Sequence, residues 1–592
     1  MRRRDAQPTD TVRRLVAELM KQNRTMLPVL LGAIVSAILG IIYPMLIAGA
    51  IEEVISETTH FRNGRPLLHV ILGALLVIFL IRAVFGFIQE YTMSCVSQNL
   101  ALQMRKNVSE KLNHLPLQYY DTHKKGDILS RVTGDLEKIA DTMQNSLSQL
   151  LSSGVAMVGA IGMMFYLHRG LALAVLATVF AGMILAAVIS DKTKRYQTAQ
   201  QNALGAFNAG IEEIFTGNTL VKAYGQEENM TAIAEGLSDT LYRTGRNAQF
   251  VTFLINPLIQ LLNHLGYVAV AFGGAMLVVG GGISIAYIPA FFNYTNKSSE
   301  SVLNVAYLIN SLQGAVAAAG RVYALLDETE QIPDAEDSLA FSNPKGAVTF
   351  DHVRFGYSAD NILMEDITLE VKPGSKIAIV GPTGAGKTTL VNLLMRFYEL
   401  NGGSISIDGA DISRISRRTL YHTVGIVLQD TWLFDGTIAD NIAYGRENAT
   451  REDVIRAAKM ARIDHFIRTM PQGYDTVPDD ETTGISAGQK QLLTIARAIL
   501  ADPQILILDE ATSSVDTRTE LEIQKAMDTL MEGRTSFIIA HRLSTIRDAD
   551  RILVMKHGTI VESGRHEELM AQNGAYYELY NAQFLTICDS EV

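Results

Sequence analysis

The run GPTGAGKT, residues 381–388, has the residue types and spacing of a phosphate cradle. The apolar KIAIV precedes it and the apolar TLVNLLM follows it, so it sits between an expected strand and an expected helix. Gly381, Gly384 and Gly386 let backbone amides close around phosphate oxygens, with Pro382, Thr383, Ala385 and Thr389 completing the loop and first helical turn. Lys387 is placed to reach β- and γ-phosphates, and Thr388 to ligate Mg²⁺. Further along, QILILDEATSSVD at 504–516 reads as an apolar strand ending in two carboxylates. Asp509 at the strand tip suits Mg²⁺ through water, and Glu510 suits orienting or deprotonating an attacking water. A second apolar strand, TSFIIAHRLST at 535–545, ends at His541, which can donate to a γ-phosphate and steady Glu510. A further candidate anion site lies at GISAGQKQLL, 484–493, where Ser486-Ala487-Gly488 opens a helix near Gln489. One domain with two phosphate cradles needs an explanation.

The elements that must position these groups follow from the texture of the chain. After RVYALLDETEQIPD, 321–334, short apolar runs such as VTF, KIAIVG and QILILDE alternate with helical stretches. That pattern predicts a parallel sheet flanked by helices. The first half is different. Six stretches approach the roughly 20 apolar residues that span a bilayer as helix: near 26–50, 67–92, 147–167, 170–190, 250–280 and 283–312. The long gaps at 93–146 and 191–249 read as helix and carry Lys106, Lys111, Lys124, Lys125, Arg131, Lys192, Lys194, Arg195 and Lys222. Positive residues stay cytoplasmic, which places both hairpins, the amino terminus and the carboxy-terminal domain on that side. The hairpin turns are expected at DTHKKGDIL, 121–129, and FTGNTLVKAYG, 215–225.

Within the fifth span Asn256, Gln260, Asn263 and His264 share a helical face. They either line a substrate path or hold helices together by hydrogen bonds. The sixth offers Tyr287, Phe291, Phe292, Asn293, Tyr294 and Asn304, for a pocket or for plain packing. Arg82 is expected to face the cavity or to snorkel, and Pro257 and Pro289 to kink their helices. At the start, residues 10–24 predict an amphipathic helix with Val12, Leu15, Val16 and Leu19 on one face and Arg13, Arg14 and Lys21 meeting anionic headgroups. The opening stretch is polar and basic and carries no pattern of a cleavable signal. A net charge of −11 argues against nucleic acid as a partner, and the two cysteines, Cys95 and Cys588, offer no disulfide framework or zinc spacing.

The motifs GPTGAGKT, ISAGQKQLLTIARA, ILILDEATSSVD and IIAHR, in that order behind six expected spans, make the chain resemble an ABC exporter half-transporter of the type IV, multidrug-resistance architecture. The resemblance covers nearly all 592 residues. It implies a fold of an α-helical membrane domain, six transmembrane helices with long cytoplasmic extensions, joined to an α/β P-loop ATPase domain. The implied division is an elbow segment at 1–24, the membrane domain at 25–320, a linker at 321–342, the ATP-binding domain at 343–580 and a tail at 581–592. By the same resemblance Tyr357 matches the aromatic that stacks on adenine. Gln429 matches the glutamine that contacts Mg²⁺ and water, and the segment after it is expected to touch the membrane-domain turns. Asp516 falls in a loop crossing the ATPase dimer interface. Ser486, Gly488 and Gln489 match the signature motif.

Two domains stacked head to tail would then let the second cradle of each cover the γ-phosphate held by the first cradle of the other. That accounts for the two cradles. The expected activity is an ATPase, with ATP and Mg²⁺, driving efflux of amphipathic small molecules across the cytoplasmic membrane. A lipid floppase or peptide exporter is the alternative, and an ATP-gated non-pumping protein a third. Ile485 and Ala487 depart from the family's L-S-G-G-Q. An intact catalytic set of Lys387, Gln429, Asp509, Glu510 and His541 with an altered signature is similar to the catalytically intact half of heterodimeric bacterial exporters, a resemblance that implies a heterodimer, with a homodimer still open. Membrane lipid and a second half-transporter are the expected partners.

Overall fold

The computed structural model describes residues 8–21, 23–60, 66–335, 338–339, 344–358, 361–429, 431–478, 484–509, 516–540 and 546–582. Glu510 and His541 lie outside the described residues. The chain divides into two compact units, Met1–His114 with His123–Glu328, and Leu115–Thr122 with Thr329–Val592.

The first unit is helical. Its opening helix α1 (Pro8–Met20) starts on a proline, whose fixed φ suits the first helical position, and carries Asp10 in its first turn. Thr11, Leu15 and Leu19 are buried, while Val12, Val16 and Met20 stay exposed. The single apolar face expected from Val12, Leu15, Val16 and Leu19 is therefore split between two sides. Arg14, expected at headgroups, instead donates to Asp327 over 2.5 and 3.0 Å and lies 4.3 Å above the Tyr323 ring.

The long helices are α2 (Asn23–His60) and α3 (Pro66–His114), a continuous α5 over Lys125–Leu167, α6 (Arg169–Thr216), α8 (Glu227–Val279) and α9 (Tyr287–Leu326). Two six-residue helices sit at the hairpin turns, α4 (Leu117–Thr122) and α7 (Asn218–Ala223). At 1.5 Å per residue the 49-residue α3 is about 70 Å long, more than twice the ~30 Å hydrocarbon core. Its surplus is the cytoplasmic extension that Lys106 and Lys111 mark. Among the described residues five stretches are apolar and long enough to cross a membrane: Thr25–Ile55, Leu68–His114, Lys125–Leu167, Arg169–Thr216 and Glu227–Val279. The sixth expected span falls on α9, which is interrupted by the Lys297–Glu300 ion pair at 3.5 Å and by several asparagines. Pro257 lies inside α8, whereas Pro289 lies in the first turn of α9, where no intrahelical donor is lost, so it cannot kink the helix.

The first turn differs from expectation. Pro116 stops α3 from continuing, α4 follows, and Lys125 already opens α5, so the turn occupies 115–124 and not 121–129. Residues 115–122 pack with the second unit. Two π-helical turns interrupt α5, at Arg131–Asp135 and Met143–Leu147. Both face α9: buried Asp135 takes a two-pronged ion pair from Arg321, one prong 2.8 Å, and Ser146 meets Ser311 at 3.0 Å. Sequence periodicity carries no sign of these turns.

The second unit holds two sheets. Strands β1 (Val348–Phe355), β2 (Met364–Val371), β4 (Gly402–Ile407) and β5 (Ala410–Asp411) form an antiparallel sheet ordered β2-β1-β4-β5. Strands β3 (Lys376–Val380), β6 (Val424–Val427), β7 (Ile505–Asp509), β8 (Thr535–Ile539), β9 (Arg551–Lys556) and β10 (Thr559–Gly564) form the other, ordered β10-β9-β3-β8-β7-β6. Its neighbours pair in parallel except β10 on β9. KIAIV and ILILD thus belong to a parallel sheet as expected, while VTF belongs to the antiparallel one. The difference is readable afterwards: β1 alternates buried and exposed positions, whereas β8 is buried throughout. Helices α10 (Lys387–Leu394), α11 (Arg417–Thr423), α12 (Ile438–Ala443), α13 (Arg451–Met460), α14 (Asp464–Thr469), α15 (Ala487–Ala501), α16 (Thr517–Met531), α17 (His566–Gln572) and α18 (Ala575–Tyr580) complete it.

Two apolar cores support the sheets. Leu390, Leu393 and Leu394 of α10 pack with β1 to β4 in one. Leu492, Leu493 and Ile495 of α15 pack with α12, α13 and α16 in the other. The chain entering this unit is fastened by charge. Arg417 donates to Asp334 at 3.0 Å, to Glu399 at 2.9 Å and to the Ile332 carbonyl at 2.6 Å, while buried Arg396 reaches Glu399 at 3.2 Å.

Candidate functional site: a phosphate loop, a strand tip and a capped helix start

The loop 381–386 joins β3 to α10, and three of its glycines stand where a side chain is disfavoured. Gly384 and Gly386 have φ of 79° and 98°, which disfavour any side chain. At Gly381 a Cβ would come within 2.3 Å of the Met555 carbonyl oxygen, so the loop can cross β9 only without one. The Lys387 ammonium donates to the carbonyls of Gly381 at 2.7 Å and Pro382 at 3.0 Å, holding it across the loop mouth. Burial lowers its pKa from the usual lysine value, and the charge of Asp509 opposes that shift. Thr388 is exposed and Thr389 buried at the start of α10.

Thr388, Asp509 and the exposed Gln429, just beyond β6, supply hard oxygen atoms only. Among the described residues no cluster of three or more His, Cys, Asp or Glu could cage a metal alone. A few oxygen donors with room for phosphate and water is what Mg²⁺ prefers, so these residues fit that ion. Glu510 and His541 lie outside the described residues; Asp509 and Ile539, which precede them on adjacent strands, are paired across β7 and β8.

Tyr357 follows β1 and is 45% exposed. Its hydroxyl meets Thr389 Oγ1 at 2.9 Å, bringing the ring to the phosphate loop. Tyr398 packs edge-on to it, centroids 5.2 Å apart at 88°, and Phe355 packs against both. Two residues of α4 complete the group. Gln118 donates to the Tyr357 carbonyl at 3.1 Å, and Asp121 accepts from the Tyr398 hydroxyl. Burial and that bond push the Tyr398 pKa well above the usual tyrosine value, so the phenol keeps its proton. Neither α4 residue nor Tyr398 is a candidate from sequence. Pro116, which forces a break before α4, is the one local signal that could have drawn attention there.

The second helix start is built as expected. The Ser486 side chain accepts from Gln489 N at 3.3 Å, and Gln489 Oε1 accepts from Ser486 N at 2.9 Å, a reciprocal cap on α15. Ser486 and Ala487 are exposed and Gly488 is buried. Ala487 adopts no positive φ, so its methyl fits the backbone and projects at the surface. This start rests on a different core from the phosphate loop. Asp516 caps α16, accepting from Arg518 N and Thr519 N at 3.1 and 3.0 Å, which holds its pKa below the usual carboxylate value.

In the first unit the polar stripe of α8 divides. Asn263 donates to Asn296 at 3.4 Å and accepts from Ser299 at 3.2 Å, both on α9. Asn256, Gln260 and His264, spaced by four, remain exposed. His264 packs on Tyr267, Tyr267 on Phe292, and the Tyr43 hydroxyl reaches Asn293 at 3.5 Å beside Phe79. The Tyr294 hydroxyl donates to the Ile41 carbonyl at 2.6 Å, so that ring is packing.

Comparison with known proteins gives a consistent picture. Residues 26–299 match the ABC transporter transmembrane region and residues 364–513 match the ABC transporter domain. The chain is 45% identical to a fatty acid ABC transporter ATP-binding/permease protein of Mycobacterium bovis over 86% of this chain and 81% of that protein. It is 33% identical to an ATP-dependent lipid A-core flippase of Syntrophus aciditrophicus, covering 91% of each. It is 35% identical to a probable multidrug resistance ABC transporter ATP-binding/permease protein of Bacillus subtilis, over 88% of this chain and 77% of that one. A bacterial Atm1-family ABC exporter solved with ATP bound superposes with a TM-score of 0.73 at 29% identity, covering 94% of this chain and 98% of that one.

Proposed function

The chain belongs to the ABC transporter family, an exporter half with its transmembrane region and ATPase domain in one polypeptide, and from that premise we propose that it uses ATP to expel amphipathic molecules. As an ABC exporter it is a membrane ATPase coupled to transport, set in the cytoplasmic membrane. The observation that carries the cargo reading is the split stripe on α8. Asn256, Gln260 and His264 stay open beside the ring contacts of Tyr267 and Phe292. Amide and imidazole groups next to aromatic faces suit a molecule with a polar head and an apolar body. The relatives are named as a fatty acid transporter, a lipid A-core flippase and a multidrug resistance transporter, and the first two names denote amphipathic cargo. Two of the three are lipids, which favours lipid translocation as the second reading.

In the proposed cycle Lys387 and the loop amides hold the phosphates of ATP; Thr388, Asp509 and Gln429 would hold Mg²⁺, which would neutralise phosphate charge. Tyr357 stacks on the adenine. Ser486, Gly488 and the α15 start of a second half-transporter cover the γ-phosphate, and Glu510, steadied by His541, orients the water. Loss of the γ-phosphate removes what holds the two domains together, since a ligand shifts an equilibrium only by its differential affinity. Phe215, Leu220 and Tyr224 at the second turn are strongly exposed, as are Leu428 and Trp432 around the segment after Gln429. Surfaces of that kind are expected to be covered by the other half in the assembled dimer.

Efflux is tested with inside-out proteoliposomes offered a fluorescent fatty acid, a lysolipid and a cationic drug. ATP-dependent accumulation of at least one is expected. Accumulation of none, with ATPase activity intact, would sink the cargo reading. The Ala487 methyl at the α15 start is the basis for favouring a heterodimer, because it weakens a site this chain does not itself bind. Ala487→Gly is expected to raise nucleotide affinity or turnover severalfold at the partner's site only. An unchanged ATPase rate and affinity in the purified complex would refute that.

A further inference from the structure

We propose that α1 is a lipid-held latch on the cytoplasmic foot of α9. The inner leaflet grips one flank of α1, Arg14 on another flank grips Asp327, and the charge of the leaflet thereby sets the unstimulated ATPase rate.

Helical spacing gives α1 three flanks. Thr11, Leu15 and Leu19, four apart, are buried. Thr11 lies against α9 at Gly320, where an added Cβ would stand 3.7 Å from the threonine hydroxyl. Val12, Val16 and Met20, again four apart, make an exposed apolar flank, with exposed Arg13 at its edge. Arg14, Glu18 and Lys21 fall on the remaining side, where Lys21 donates to Glu18 at 3.2 Å. One residue is about 100° of helical turn, so the adjacent arginines serve different partners: Arg13 the apolar flank, Arg14 the foot of α9.

The occupant of the apolar flank follows from what continues it. α1 ends at Met20, and the first stretch able to cross a membrane opens at Thr25. Exposed Leu27, Leu30, Leu31 and Ile34 carry the apolar surface onward into that span. An apolar flank edged by arginine at the mouth of a spanning helix fits acyl chains and anionic headgroups of the inner leaflet.

The other side is the latch. Asp327 closes the end of α9, and the second unit begins at Thr329. Arg14 donates to both carboxylate oxygens of Asp327, at 2.5 and 3.0 Å, and covers the Tyr323 ring at 4.3 Å. The pair is exposed, 45% at Arg14 and 56% at Asp327, so water competes for it. Tyr323 is buried, and its hydroxyl finds no hydrogen-bond partner among the described residues, a cost that opening the latch would relieve. The second fastening at this end, Arg321 to Asp135, uses a carboxylate only 8% exposed. Of the two fastenings, Arg14 to Asp327 is therefore the one poised to open. The ATPase domain can approach a second one only if the junction after Asp327 moves with it. A foot tied to a leaflet-bound helix resists that movement. Arg14 and Asp327 act as positioning residues.

The test is ATPase activity without added cargo, measured on the full-length assembled transporter in nanodiscs of phosphatidylcholine alone or with phosphatidylglycerol. The wild-type rate should be about two- to fivefold lower in the anionic nanodiscs, the range that an exposed ion pair can shift. Arg14→Ala and Asp327→Ala should each run at the faster rate in both lipids. Arg13→Gln should also lose the lipid response, because the leaflet grip is gone. Exchanging the charges, Arg14→Asp with Asp327→Arg, should restore the slow rate in anionic lipid, which a mere loss of packing would not. Anionic lipid acting as cargo would leave its effect intact in Arg14→Ala, and that result would overturn the latch without touching the cargo reading. A wild-type rate indifferent to lipid charge, or a charge-exchanged protein as fast as the single variants, would overturn it as well.

Discussion

Glu510→Gln is expected to cut ATP turnover by about 10² to 10⁴-fold, the usual contribution of a positioned general base, while ATP binding persists. The residue follows Asp509, the last residue of β7, whose preceding positions Ile505 to Leu508 are all buried. Asp509, the residue before it in the chain, acts on the Lys387 charge, and the role proposed for Glu510 starts from that strand end. Glutamine keeps the size and loses the basicity. Without hydrolysis the γ-phosphate stays between the two ATPase domains, so the variant should accumulate as an ATP-bound closed dimer. Retained ATP after desalting, together with a phosphate-release rate near background, is the expected pair of results. Ordinary turnover in this variant would exclude Glu510 as the water-activating group and return the acid pair to a structural role.

What was legible in the sequence was local. The phosphate loop could be read because glycine is the cheap residue at positive φ, and Gly384 and Gly386 stand where the chain requires it. The α15 cap could be read because Ser486 and Gln489 need only each other. The long spanning helices could be read because a continuous apolar run has few alternatives. Contacts that depend on where distant segments meet left no such trace. Tyr398 and Asp121 are 277 residues apart, Arg14 and Asp327 are 313 apart, and neither pair has a periodicity or a spacing to betray it. The same holds for the two π turns of α5. Their polar partners Arg321 and Ser311 lie on α9, and an extra residue per turn is invisible to a pattern counted at 3.6. α1 shows how a correct element can carry a wrong face. Its helix was readable, but the second apolar surface that buries Leu15 and Leu19 belongs to packing within the first unit.

These two kinds of legibility bear on function differently. Residues proposed to touch the phosphates could be singled out by type and spacing, because the chemistry of a phosphate dictates amides, an ammonium and hard oxygens at short range. Residues that pack behind the loop could not, because any pair of side chains can pack. Tyr357 belongs to both sets. Its proposed role comes from a motif match, while its contacts with Gln118 and Tyr398 come from the fold.

Lys387→Ala should be as damaging as Glu510→Gln but fail at an earlier step. The ammonium is half-buried, and burial lowers its pKa from the usual lysine value. A cation already stripped of part of its water gains more from an arriving phosphate than an exposed one does. Charge-assisted hydrogen bonds of this kind contribute about 1.5–3 kcal/mol each, so losing one should weaken ATP binding by about 10- to 150-fold. Turnover should fall further, because the same charge stabilises the phosphoryl group as its bonds change, a term worth about 10² to 10³. The loop itself should survive, since the bonds that Lys387 makes are to carbonyls that water can serve, and Ala385 N still donates to Pro382 O at 3.1 Å. Fluorescent-nucleotide titration and phosphate release separate the outcomes. Weak binding with no trapped dimer is expected for Lys387→Ala, against tight binding with a trapped dimer for Glu510→Gln. If Lys387→Ala bound ATP normally and accumulated as the closed dimer, the lysine would not be the group that holds the phosphates, and the cradle at 381–388 would have to work through its backbone amides alone.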